Sequence, residues 1–264
     1  MATKVITSRD NPAVKALRAL AADSREQRRL GRTVLDGPHL VAAYVERMGT
    51  PERLVVSESG LRNAEIGRLL EVAAAEVLTV PDSLFRELAG MVEPVGLLAV
   101  IAIPEPPATQ PTGNCVLLDA VQDAGNVGTI LRTAAAAGIR DIALGPGCAG
   151  AWTPKVLRAA QGAHFCLRIR EPVSLPGLIE QRRETVVAAV AQGGRSLYEE
   201  DLSGEVAWLF GNEGSGISPS LMTMAGHTVT IPMAAGSESL NVAAAAAVCM
   251  FEGVRQRLAD RGKR

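Results

Sequence analysis

Hydrophobic and polar positions alternate in blocks along the chain, with short apolar runs followed by longer amphipathic stretches. In the first hundred residues, the runs RLVVS (53–57), EVLTV (76–80) and VGLLAVIAI (95–103) are typical of strands. Helical spacing is predicted for segments 12–31, 40–48, 64–75 and 82–88. Strands alternating with helices indicate a small α/β domain with a partly parallel sheet.

The second half repeats this alternation more strongly. Buried-type strands are predicted at CVLLDAV (115–121), DIALG (141–145), WLFG (208–211) and TVTIPM (228–233). Helices are predicted at VGTILRTAAAAG, which Gly138 closes, and at TPKVLRAAQGA. Polar residues gather where the strands end, and that edge of an open α/β sheet is where ligands bind.

A proline-rich segment separates the two halves. Residues 104–112 read PEPPATQPT, with four prolines and no hydrophobic periodicity, which predicts a stiff extended linker. The predicted domains are therefore residues 1–103 and 113–264, each of ordinary domain size.

Composition restricts the class of protein. Hydrophobic residues make up 47% of the chain and charged residues 21%, as in a globular protein with a core. The sequence contains no run of roughly 18 apolar residues and no secretory signal pattern. The four cysteines are scattered and have no metal-ligand spacing. We therefore expect a reduced, cytoplasmic protein with no membrane association and no metal.

Basic residues concentrate at the two ends, although the formal net charge is only −1. Residues 1–36 contain eight basic and four acidic groups, and the last twelve residues contain five basic groups and one acidic group. Each end is consistent either with a patch that faces phosphates or with an ordinary solvated helix face and tail.

Three polar loops follow predicted strands, with the sequences DAGNVGTILR, FGNEGSGIS and IPMAAGSESLN. GNEGSG is neither a dinucleotide fingerprint nor a P-loop, which disfavours a nucleotide-binding oxidoreductase. Alone, such a glycine-rich loop is more often a tight turn. Together, the three loops place Asn, Arg, Glu and Ser beside small residues, which indicates a small-ligand site.

In order and spacing, DAGNVGTILRTAAAAGI, LFGNEGSGIS and IPMAAGSESLNV resemble the three motifs of the SpoU/TrmH family. Members are S-adenosylmethionine-dependent RNA ribose 2′-O-methyltransferases of the SPOUT superfamily. The resemblance covers about residues 113–258. ITSRDNPAVKALRAL and VLDGPHLVAAYV further resemble the ribosomal-protein-like, substrate-binding amino-terminal portion of many members. Ala243 replaces a serine common in the family.

The resemblance implies a SPOUT α/β domain in which the last strand and helix pass through a loop to form a deep trefoil knot. Small side chains suit a tightly threaded segment, and residues 243–247 are five consecutive alanines. It also implies a homodimer through the knotted domains, with both chains completing each active site. The last helix has an apolar stripe compatible with this, formed by Val248, Phe251, Val254 and Leu258. The alternative is that this stripe packs within its own chain.

The family's functional residues transfer to matching positions. The resemblance places the S-adenosylmethionine pocket at Gly211, Ile231, Met233 and Leu240. It places the polar active-site set at Asn126, Arg132, Glu213, Ser239 and Asn241.

The roles of two polar residues stay open. In this family the arginine equivalent to Arg132 has been proposed as the base. A guanidinium with a pKa above about 12 is a poor base, so we favour binding of an RNA phosphate and stabilisation of alkoxide charge. Glu213 is either a general base or a structural carboxylate that holds Asn126 or Arg132.

The substrate is predicted to be ribosomal RNA, most consistently 23S RNA, because an amino-terminal α/β domain with a linker resembles the ribosomal-RNA members. A tRNA substrate and a non-catalytic RNA-binding protein of the same fold are the alternatives. The candidates for first contact with RNA are Arg9, Asn11, Lys15, Arg18, Arg28, Arg29 and Arg32.

Overall fold

The computed structural model describes residues 3–89, 93–106 and 108–261. The strands are β1 (Thr3–Val5), β2 (Arg32–Asp36), β3 (Arg53–Ser57), β4 (Glu76–Val80), β5 (Leu97–Ala102), β6 (Cys115–Leu118), β7 (Asp141–Leu144), β8 (Arg168–Arg170), β9 (Thr185–Ala189), β10 (Arg195–Ser196), β11 (Val206–Phe210) and β12 (His227–Thr230). The α-helices are α1 (Pro12–Ala22), α2 (Ser24–Leu30), α3 (Pro38–Met48), α4 (Ala64–Ala73), α5 (Asp82–Ala89), α6 (Ala124–Ala136), α7 (Pro154–Ala160), α8 (Leu175–Glu180), α9 (Pro219–Met222) and α10 (Val242–Arg261).

The chain divides into two compact units. Unit one comprises residues 1–105 together with residues 152–165, and unit two comprises residues 106–151 and 166–264. Unit one has a five-stranded sheet of order β1-β4-β3-β5-β2. Strands β1, β4 and β3 pair in parallel, whereas β5 pairs antiparallel with both β3 and β2. The predicted partly parallel sheet is confirmed.

Unit two is built on a seven-stranded sheet of order β10-β12-β9-β11-β6-β7-β8, in which every pair is parallel. Its central strand β11 is buried along its whole length, as expected for a strand covered on both faces. Because all these strands run in one direction, the loops that follow them emerge at the same edge.

Residues 152–165, which we call the arm, come from the second half of the sequence but pack in unit one. The Thr33 hydroxyl donates a buried 2.7 Å hydrogen bond to the Trp152 carbonyl. Arg158, on α7, forms a 3.1 Å ion pair with Asp36, and Phe165 packs edge-on against Tyr44. The helix within the arm was predicted, but its packing in unit one was not.

The predicted single helix from Pro12 to about Gly31 is wrong, because the structure divides it at Asp23. Asp23 is in an extended conformation, and its carboxylate accepts a 2.7 Å hydrogen bond from the Arg25 amide. Aspartate competes with the helical backbone for such bonds, so it ends α1 and caps α2. The α2 helix then ends at Gly31, whose φ of 61° favours glycine.

The proline-rich segment is fixed in unit two by buried arginines. Arg170 donates to the Thr109 carbonyl at 2.8 Å, and Arg182 donates to the Pro111 carbonyl at 2.9 Å and to the Gly113 carbonyl. Backbone carbonyls in residues 109–113 therefore have fixed partners. The domain boundary at 104–112 itself stays a prediction.

Candidate active site

A cavity of about 570 Å³ opens at the carboxyl edge of the unit-two sheet. We call it the edge cavity. Residues after β9, β11 and β12 and the first turns of α10 form its walls. All four residues predicted to bind the cofactor line it: Gly211, Ile231, Met233 and Leu240. Such a volume and a wall of mixed apolar and polar groups are consistent with a site for a small organic ligand.

One wall of the edge cavity, residues 189–191 at the end of β9, was not predicted from the sequence. Their signal was the run TVVAAVAQGG, in which an apolar strand ends in glycines, but its short apolar stretch is weak evidence alone. Ile217, Met222 and Ala245 also line the edge cavity and were not predicted.

The loop after β11 is closed by its own backbone. Asn212 and Gly216 exchange two backbone hydrogen bonds of 2.9 Å each. The Asn212 side chain accepts from the amides of Gly214 and Ser215 and donates to the Ala120 carbonyl at 2.8 Å. These bonds hold the loop in one conformation against the end of β6.

Gly211 is required by this closure. A Cβ atom on Gly211 would lie 2.3 Å from the carbonyl carbon of Gly216 and 2.3 Å from the amide nitrogen of Ile217. Backbone atoms cannot move aside as a side chain would. Gly211 was predicted as part of the cofactor pocket, and the structure shows that its backbone also lies close to the end of its own loop.

Three side chains from three loops form a hydrogen-bonded chain, which we call the amide–carboxylate chain. Asn241 Nδ2 donates to Asn126 Oδ1 at 2.9 Å, and Asn126 Nδ2 donates to Glu213 Oε1 at 3.0 Å. Glu213 also accepts from the backbone amides of Asp123 and Gln122, at 3.0 and 3.1 Å. The chain therefore connects the three predicted motifs physically.

Both asparagines are fixed by helix starts. The Asn126 backbone N–H donates a 2.9 Å hydrogen bond to the Asp123 carboxylate, which caps α6. Asn241 Oδ1 accepts from the amides of Ala243 and Ala244 at the first turn of α10. Asn241 thus starts the alanine-rich helix α10 and holds Asn126 at the same time.

The environment of Glu213 favours its ionised form. Burial raises the pKa of the carboxyl, but the hydrogen bonds from the Asn126 side chain and from the amides of Asp123 and Gln122 outweigh burial and leave the pKa below its ordinary value. A carboxylate with a lowered pKa is a weaker base and a better permanent acceptor.

Of the five predicted polar residues, Asn126, Glu213 and Asn241 meet in the amide–carboxylate chain, and Ser239 lines the edge cavity. Arg132 is different. It is exposed on α6 and is not part of the edge-cavity wall. A single copy of the protein therefore does not bring all five residues together.

A strained residue follows β6. Ala120 has a φ of 54°, in the left-handed region that costs about 1–2 kcal/mol for a residue with a Cβ. The Ala120 carbonyl accepts a hydrogen bond from the Asn212 side chain. The strained backbone at Ala120 therefore points this carbonyl at the loop after β11.

Most of the predicted RNA-contacting residues make ion pairs on the surface of unit one. Arg9 and Arg18 share Glu87, while Lys15 pairs with Asp10. Two further pairs are Arg29–Glu26 and Arg32–Glu52. Asn11 caps α1, and Arg28 is exposed on α2. Exposed pairs of this kind contribute little to stability, so they leave the arginines available to a phosphate.

The fold and edge cavity define an α/β protein with a ligand site at the carboxyl edge of a parallel sheet. Residues 113–251 match the SpoU rRNA Methylase family, and residues 11–99 match the MRM3-like substrate binding domain. Since the first match covers more than half of the chain, the protein belongs to the SpoU rRNA methylase family.

Individual relatives agree over nearly the full length. An uncharacterized tRNA/rRNA methyltransferase of Synechocystis is 33% identical over 262 residues, 96% of this chain and 94% of that protein. The 23S rRNA (guanosine(2553)-2′-O)-methyltransferase RlmP of Bacillus subtilis is 31% identical over 251 residues, 94% of this chain and 98% of that protein. The AdoMet-bound rRNA methyltransferase of Sinorhizobium meliloti has a TM-score of 0.83 at 27% identity and covers 96% of this chain and 98% of that chain.

These matches confirm the predicted family, the α/β fold class and the class of enzyme, an RNA methyltransferase. The trefoil knot stays a prediction. No helix within residues 3–89, 93–106 and 108–261 is long and apolar enough to cross a membrane.

Proposed function

We propose that the protein transfers the methyl group of S-adenosylmethionine to the 2′-hydroxyl of a ribose in 23S ribosomal RNA. The observation that supports this most directly is the edge cavity, bordered by the amide–carboxylate chain. One site thus supplies both apolar surface for a nucleoside cofactor and hydrogen-bonding groups beside it.

The edge cavity suits S-adenosylmethionine. Ile231, Met233 and Leu240 offer apolar surface that would enclose the adenine, and Gly211 forms part of the same wall. The Glu213 carboxylate, which stays ionised, provides negative charge at a cavity for a cationic sulfonium. When bound, the cofactor supplies an electrophilic methyl group.

We assign Glu213 a structural role in this reaction. The backbone amides of Gln122 and Asp123 fix the Glu213 carboxylate, which stays ionised because its pKa is lowered, and the carboxylate in turn holds the Asn126 side chain in one orientation. Asn126 and Asn241 are then fixed donors and acceptors beside the edge cavity, suited to aligning the ribose hydroxyl. Holding a nucleophile in alignment removes a large part of the barrier to a displacement.

Arg132 is proposed to act on the edge cavity of a second copy. It is exposed on α6, outside the wall of its own edge cavity. The neighbouring helix α10 packs on α6. On α10, Phe251 is 46% exposed and Leu258 is 61% exposed. A homodimer that covers this face would bury both side chains and bring Arg132 to its partner's RNA. There the guanidinium would bind a phosphate and stabilise the alkoxide charge that develops as the hydroxyl is deprotonated.

The oligomeric state tests this arrangement. Light scattering at micromolar concentration should give the mass of a dimer, and Phe251→Glu, which places a charge on the apolar face, should give a monomer. A monomeric wild-type protein would refute the shared site.

Relatives support ribosomal RNA as the substrate. The Bacillus subtilis relative is named as a 23S rRNA guanosine 2′-O-methyltransferase, and residues 11–99 match a substrate binding domain. We propose that the protein acts in the cytoplasm. A tRNA substrate is the alternative.

The reaction is tested with purified protein, S-adenosylmethionine labelled on the methyl group, and separate 23S RNA, 16S RNA and tRNA. We expect label in 23S RNA, in dinucleotides that resist alkali because a 2′-O-methyl group blocks cleavage. Label in alkali-sensitive mononucleotides would indicate base methylation and refute the reaction. Label in tRNA alone would refute 23S RNA as the substrate, whereas the assignment of the reaction as ribose methylation would stand.

A further inference from the structure

A second cavity, of about 400 Å³, lies within unit one and takes no part in the site described above. We call it the unit-one cleft. Helices α1, α2 and α5, strands β2 and β5, and the arm form its walls. Its floor includes the buried side chains of Val34, Leu88 and Leu98. The apolar floor and the volume are sufficient for one small planar ring system.

The charges around the unit-one cleft are not balanced. Three cationic side chains, Arg18, Lys155 and Arg158, face two carboxylates, Asp36 and Glu87. Arg158 forms a 3.1 Å ion pair with Asp36, whose side chain is only 7% exposed. Burial raises the pKa of Asp36, and the nearby Arg158 opposes that rise, as in a pair held inside the protein.

The remaining positive charge is available to a ligand. Glu87 accepts from Arg9 on one oxygen and from Arg18 on the other, at 2.9 and 3.0 Å, so one carboxylate serves two guanidinium groups. Arg18 stays 43% exposed. Lys155 is exposed at the rim, and its ammonium forms no ion pair with a described residue. A rim with excess positive charge above an apolar floor matches the two parts of a nucleotide.

We propose that the unit-one cleft binds a single unstacked nucleotide of the RNA substrate, with its base on the apolar floor and its phosphate at Lys155 and Arg18. The inference rests on the proposed function, which makes RNA the ligand, and it adds a subsite to which the arm contributes. Single-stranded loops and bulges present such splayed bases, and proteins that recognise RNA sequence use them. Lys155 is then an RNA contact that lies outside residues 11–99, which match the substrate binding domain.

Three variants of the full-length protein test the subsite, with a 23S RNA transcript as the probe and binding measured across a salt series. Lys155→Ala should weaken binding and flatten the slope of log K against log salt by about 0.7–0.9, the contribution of one phosphate contact. Ala22→Trp fills the unit-one cleft from the exposed end of α1 without a change of charge. It should weaken binding, because the base loses its contact with the apolar floor, and leave the slope unchanged.

Arg68→Ala is the matched control, because Arg68 is an exposed cation of unit one that lies outside the unit-one cleft. It should leave affinity and slope as in the wild type. Equal slopes for Lys155→Ala and Arg68→Ala, or wild-type affinity for Ala22→Trp, would overturn the subsite. Methyl transfer is measured separately, so a wild-type protein that binds RNA through the unit-one cleft but labels no ribose would refute the proposed function and keep the subsite.

Discussion

Gly211→Ala should weaken cofactor binding by opening the loop after β11. The new Cβ would lie 2.3 Å from backbone atoms of Gly216 and Ile217, so no rotamer change relieves the contact. The loop must then break the two 2.9 Å hydrogen bonds between Asn212 and Gly216. At about 0.5–1.5 kcal/mol each, their loss amounts to about 1–3 kcal/mol. Because every 1.4 kcal/mol is about tenfold, affinity for S-adenosylmethionine should fall about 5- to 150-fold.

Gly214→Ala is the control in the same loop. Its Cβ would lie 3.6 Å from the Asn212 side-chain oxygen, an ordinary contact, so affinity should stay at the wild-type value. Isothermal titration with S-adenosylhomocysteine measures both variants, and urea unfolding checks that each is folded. Equal affinities for Gly211→Ala and Gly214→Ala would refute the assignment of this loop to the cofactor.

Three further changes have distinct expected results. Arg132→Ala should lower methyl transfer about 10²–10³-fold with cofactor affinity unchanged, the scale of a lost charge-stabilising donor, and near-normal turnover would rule out that role. Glu213→Gln should slow methyl transfer by less than about tenfold, since one hydrogen bond is lost, whereas removal of a general base costs about 10²–10⁴-fold. The folded pKa of Glu213 is lowered, so the ionised carboxylate stabilises the protein above its ordinary pKa of 4.5, and this stability is lost as pH falls through the folded pKa. The loss of stability in acid should therefore be smaller in Glu213→Gln than in the wild type. Identical losses of stability in acid would contradict this. Arg182→Met should destabilise the protein by about 3–5 kcal/mol in urea unfolding, because it removes a buried cation paired with Glu184 and frees the carbonyls of Pro111 and Gly113; a loss below about 1 kcal/mol would show that these contacts do not hold the segment.

The gathering of the three motif loops could be predicted from the sequence, because the ends of parallel strands share one edge of a sheet. Gly211, Ile231, Met233 and Leu240 do line one cavity. The family resemblance added residue assignments that periodicity alone does not contain.

Long-range packing could not be predicted in the same way. The sequence of the arm has the pattern of an ordinary amphipathic helix, and nothing local indicates that Arg158 pairs with Asp36, more than a hundred residues earlier. The break at Asp23 was missed because basic residues continue across it with helical spacing. The position of Arg132 outside its own edge cavity depends on the rotation of α6 against the sheet, which its sequence does not specify.

Mapping of 2′-O-methyl groups across total RNA, in cells with and without the protein, tests the central claim most directly. The proposed function predicts one methylated ribose in 23S RNA that disappears without the protein and returns with the wild-type chain but not with Arg132→Ala. An unchanged 23S RNA pattern, or a methyl group lost only from tRNA, would contradict it.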